Sequence, residues 1–87
     1  MEAVNVVAKI AGTFTTDAHV IVSTLSNTIV GTGKTNALGQ AIVKLPEAGD
    51  YVVFAMNVGN GIPVGGGHSF TIPQNTTKIV SLDLHLL

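Results

Sequence analysis

An 87-residue chain with only nine charged side chains, four lysines and five acids, carries a net charge of −1. Four scattered lysines and no arginine cannot form a phosphate-neutralising stripe, which removes nucleic acid as a partner. No run approaches the ~18 apolar residues of a membrane-spanning helix, so membrane insertion is not expected. The absence of cysteine rules out a disulfide framework or a thiolate metal site.

The chain is expected to form one domain, residues 1–87, with a folded surface of roughly 4,800 Å2. A freely soluble small domain carries charge at about 25–35% of its surface positions, whereas the whole chain here has 10%. The expectation is that neighbouring protein subunits cover much of this surface. The opening Met1-Glu2-Ala3-Val4-Asn5 lacks a basic n-region followed by a long apolar segment. That fits either a mature or trimmed form of a secreted chain, or one never exported by that route.

Taken in chain order, strand signals dominate. Residues 4–10 alternate, with Val4, Val6, Ala8 and Ile10 on one face. Residues 12–17 read as a turn-rich connection and residues 19–25 as a β-branched strand. Residues 28–35 form a weaker strand, which Gly31 and Gly33 mark as an edge or a bulge. Residues 36–39 are a turn cluster, with Gly39 free to take positive φ. Residues 40–45 then place Ala41, Val43 and Leu45 on one face before Pro46 stops the ladder.

Residues 51–58 are apolar on both faces, which predicts a strand covered on both sides. Residues 57–67 hold five glycines around Ile62, Pro63 and Val64 and read as a long loop. A short strand over 68–72 and a turn at 73–75 lead to residues 77–86. There Val80, Leu82, Leu84 and Leu86 face inward, and Ser81, Asp83 and His85 outward. Tyr51 and Leu82 are predicted core residues. Short strands at regular spacing with no helical period indicate an all-β fold, a small antiparallel Greek-key β-sandwich of about seven strands.

The unit formed by Thr35, Gly39, Leu45-Pro46, Gly49 and Tyr51 resembles the core motif of carboxypeptidase regulatory-like domains, small transthyretin-like (prealbumin-like) sandwiches. Its Leu45-Pro46-x-x-Gly49-x-Tyr51 element carries one residue more than the commonest form. Thr16-Asp17-Ala18-His19-Val20 stands where members often read G-x-x-V. The final strand is similar to the usual x-L-x-L-x-L ending. The resemblance implies a mostly non-catalytic domain.

Chemistry-bearing patterns are sparse. Gly31-Thr32-Gly33-Lys34-Thr35 looks like the end of a phosphate-binding loop, but the motif's first glycine position holds Thr28 and a turn follows where a helix is required. Asp17 with His19, and Asp83 with His85, would share a strand face; two ligands each fall short of a metal site. No serine–histidine–acid constellation is suggested. The sequence therefore predicts no enzyme, no catalytic residue, no metal, no cofactor and no small-molecule substrate.

The expected function is a structural subunit of a repetitive assembly, a capsid decoration (cement) protein located in the virion, with protein partners. The alternative is a cell-surface or secreted adhesin, stalk or filament module. The exposed Ile62-Pro63-Val64 island is the expected protein contact. A carbohydrate platform fits less well, because Phe14, Tyr51, Phe54 and Phe70 are the only aromatics and most fall at core-like positions.

Overall fold

The computed structural model describes residues 1–58 and 61–87. Strands take up 67% of the described residues, and no α-helix occurs among them. The eight strands are β1 (Glu2–Ile10), β2 (Thr13–Phe14), β3 (His19–Thr24), β4 (Ile29–Lys34), β5 (Gln40–Leu45), β6 (Gly49–Asn57), β7 (Val64–Ile72) and β8 (Thr77–Leu86).

They form one curled mixed sheet, a half-barrel, in the order β2-β1-β8-β7-β6-β3-β4, with β5 paired to the β2 side of β1. Two wings result. One is β5-β1-β8, the other β7-β6-β3-β4, and they are joined where Val64 and Gly65 of β7 pair with Leu86 and His85. The core lies between the wings. Val4, Val6, Ala8, Val43, Val80, Leu82 and Leu84 point in from the first, and Val20, Val22, Tyr51, Val53, Phe70 and Ile72 from the second.

On the opposite side β4 and β5 close the curl. A methyl built on Gly31 would come within 2.4 Å of Val43 Cγ1, so the glycine is what lets β5 press this near. β4 is the last strand of the sheet path, and the β3–β4 register shifts at Val22/Ser23, so that strand is both edge and bulge site.

Four expectations need correction. First, the sheet is not wholly antiparallel: β1 runs parallel to β8, from Ala3↔Thr77 to Ile10↔Leu84. Alternation shows which face a residue occupies but not the direction of its neighbour. Second, there are eight strands rather than about seven, because Thr13–Phe14 inside the expected connection pairs with Ile10 and Lys9. Third, β7 begins at Val64, so the glycines at 65–67 are strand rather than loop. Leu86, expected inward, is 71% exposed because β8 outruns the core. The total exposed surface, 5079 Å2, is close to the size-scaling value.

The turns follow their residue chemistry. Asn36 Oδ1 accepts from the N–H groups of Leu38 (2.9 Å) and Gln40 (3.1 Å), closing the β4–β5 reversal. Gly39 sits at φ 70° with its carbonyl accepting from Ala8 N–H at 2.8 Å. Thr35, almost fully buried, accepts from Ala18 N–H at 2.9 Å through the same hydroxyl that donates to the Thr15 carbonyl. Within the pattern that mimics a phosphate loop, Thr35 thus pins the β2–β3 connection to the end of β4.

Candidate interaction surface

The outward side of β7-β6-β3-β4 is built from alternate residues of its central strands. Val52, Phe54 and Met56 face out from β6 because Tyr51, Val53 and Ala55 face in. Register places these residues in rows across the sheet. Lys34, His19, Met56 and Gly65 form the first, Thr32, Ile21, Phe54 and Gly67 the second. Ile29, Ser23, Val52 and Ser69 form the third, and Asp50 and Thr71 stand in the fourth.

Phe54 is held by absence of side chains. A methyl on Gly65 would come within 2.9 Å of its Cζ, and one on Gly67 within 3.1 Å of its Cδ1. The ring therefore lies across a glycine floor, and the same floor is reached by Leu87, whose Cδ2 would be 3.1 Å from a Gly65 methyl. The glycine triplet reads as loop composition; here Gly65 and Gly67 seat an aromatic ring on the outside of a sheet, while Gly66 faces the Asp83 backbone on the other side.

The expected contact residues lie beside this surface. Ile62 is 55% exposed, and Pro63 is exposed with its carbonyl accepting from Leu87 N–H at 3.3 Å. Val64 opens β7, pairs with Leu86 and packs half-buried against the core. The loop and the C-terminal Leu86-Leu87 thus form one apolar corner, together with exposed Val58. The rest of the glycine-rich stretch, Gly59 and Asn60, lies outside the described residues.

The outward side of the other wing also carries an apolar row. Ile42 and Ile79, each 67% exposed, flank Asn5 across β5, β1 and β8. The Asn5 side-chain oxygen between them is shielded and accepts no hydrogen bond, and Val7 follows two residues on.

The acid–histidine pairs do not assemble into sites. Asp17 occupies a turn at φ 59° instead of a strand position, so alternation does not align it with His19. His85 Nδ1 lies 3.2 Å from the backbone carbonyl of Asp83, not from its carboxylate. Among the described residues no three histidines or acids come together as metal ligands. Of the four aromatics, most of which were expected at core-like positions, two are outside. Phe14 is 49% exposed beneath the Lys9 ammonium, 5.1 Å from its ring centre, and Phe54 lies on the glycine floor.

No family model matches the chain, and no curated protein matches it.

Proposed function

We propose that this chain is a non-catalytic structural subunit that packs into a repetitive assembly, a decoration (cement) protein of a viral capsid acting in the virion. The observation that carries the reading is an apolar surface on each of the two outward sides of one small body. On one, exposed Leu87 adjoins half-buried Phe54, Met56 and Ile21; on the other, exposed Ile42 and Ile79 lie beside half-buried Val7. Contiguous exposed apolar area marks contact surface, and a subunit in a layer is covered on more than one side. Nine charges in 87 residues fit a surface designed to be covered.

The fold assigned with it is a Greek-key sandwich of the transthyretin-like, carboxypeptidase regulatory-like type. Its support is the division into two facing wings with the core between them, and the turn–strand unit from Thr35 to Tyr51. No catalytic residue, cofactor or small-molecule substrate belongs to this reading.

One observation favours the alternative, a module of a cell-surface or secreted stalk or filament. Because β1 and β8 are parallel neighbours, the chain enters at one end of the body and leaves at the other, as units joined in series do.

The test is light scattering across concentration, alone and with shell or filament components, on wild type and Ile62→Asp. A carboxylate pressed into an apolar contact is costly, while the same change on an exposed loop is nearly neutral. Unchanged melting with lost incorporation is the expected result. A wild-type chain that remains monomeric and joins neither shell nor filament overturns the proposal.

A further inference from the structure

We infer that the β7-β6-β3-β4 face pairs with the same face of a second copy of this chain, about a two-fold axis lying in the plane of contact. This rests on the reading of the chain as an assembly subunit and names one of its contacts.

The argument starts from how charge is arranged on the face. Its first row holds the cationic Lys34 beside His19, and its fourth holds Asp50, whose Oδ1 accepts from Thr71 Oγ1 at 2.6 Å. Met56 lies six residues along β6 from Asp50, about 20 Å at strand rise. Between these ends lie Ile21, Phe54 and Val52, with no charged residue at any register position of the second and third rows. Asp17 stands off the face, in the turn before β3, while Lys78 rises from β8 at the edge of the face and donates through Nζ to the Thr71 carbonyl at 3.0 Å, leaving the Asp50 carboxylate on the Thr71 hydroxyl.

A surface with opposite charges at its two ends and an apolar middle is complementary to itself when turned over. The two-fold that brings Lys34 onto the partner's Asp50 necessarily brings Asp50 onto the partner's Lys34, and lays apolar middle on apolar middle. The glycine floor assists, because β7 raises no side chain at Gly65 or Gly67 to hold the partner away. Size is adequate as well. A standard interface takes roughly 800 Å2 from each partner, about a sixth of the 5079 Å2 exposed here, and the body measures 38 × 25 × 16 Å. On the face of the other wing Lys44 stands at one end, while at the other end Lys9 and Asp83 are directly paired neighbours, so its two ends do not carry opposite charges.

The experiment is sedimentation equilibrium of wild type, Lys34→Asp, Asp50→Lys, the double exchange, and Lys44→Asp as a control on the opposite wing, each checked for unchanged melting. Either single reversal turns two attractive pairs into two repulsive ones and weakens self-association roughly tenfold or more, while the double exchange returns to within about threefold of wild type. Lys44→Asp behaves as wild type. Self-association indifferent to the single reversals, or not recovered by the double exchange, or weakened equally by Lys44→Asp, overturns the inference and leaves the assembly reading intact. A monomeric wild type that still joins a shell or filament also removes this pairing alone. A chain that neither self-associates nor joins any assembly removes both.

Discussion

The phenolic hydroxyl of Tyr51 donates to the carbonyl of Glu47 at 2.7 Å, four residues back along the same chain. The bond fastens the turn after β5 to the strand that leaves it, while the ring stacks on Phe70 at 5.8 Å between centroids. Sequence order thus becomes tertiary order within six residues: Pro46 stops one strand, Gly49 reverses the chain, and Tyr51 locks the reversal from inside the core.

Tyr51→Phe should keep the stack and lose the bond, leaving the Glu47 carbonyl without that donor. The expected cost is about 1 kcal/mol, read as a fall of about 4–8 °C in melting temperature for a domain this size. An unchanged melting point would mean the turn is held by other contacts.

Leu82 sits 4% exposed in the middle of β8. Leu82→Ala should destabilise the fold by about 2–5 kcal/mol, a large part of a small domain's total stability. Denaturant titration gives the value directly. Melting within a degree or two of wild type would place the residue outside the core.

Two glycines with similar backbones should respond differently to alanine. Gly12 has φ 82° and open space around it, whereas Gly39 has φ 70° and would bring a methyl within 2.6 Å of the Ala8 carbonyl oxygen. Gly12→Ala should cost only the left-handed conformation, about 1–2 kcal/mol. Gly39→Ala must also push β1 away, so its loss should be clearly the larger in paired denaturation curves.

Calorimetric titration with zinc or calcium should give no saturable heat. His85 turns its Nδ1 to a backbone carbonyl, and Asp17 leaves the strand before His19. A micromolar site abolished by His85→Ala would contradict this directly.

Strands whose alternation meets turn chemistry at both ends were readable in the sequence to the residue: β5 and β8 span the expected 40–45 and 77–86. The parallel β1–β8 ladder was not, because residues 74 apart carry no local sign of adjacency. β7 was half readable. Residues 68–72 show strand character, but a glycine presents no side chain to alternate; Gly66 is strand through its pairing with Ala55, and is glycine because a methyl there would sit 2.8 Å from the Asp83 carbonyl oxygen. For the interaction surface, exposure of Ile62 was legible from the loop composition. The bond between Pro63 and Leu87 was not, since that depends on where two distant strands end.

The parallel pairing of the first and last strands also decides how the molecule bears load. The Met1 ammonium is held by Asn75 at the start of the ladder, and Leu87 is held by Pro63 beyond its far end. Tension applied through the two ends therefore runs along the strands and tries to slide β1 past β8. All eight register pairs resist that sliding together, whereas a pair pulled apart from one end would yield one rung at a time. Pulled at its two ends, this body is loaded in shear along the longest continuous seam of β1.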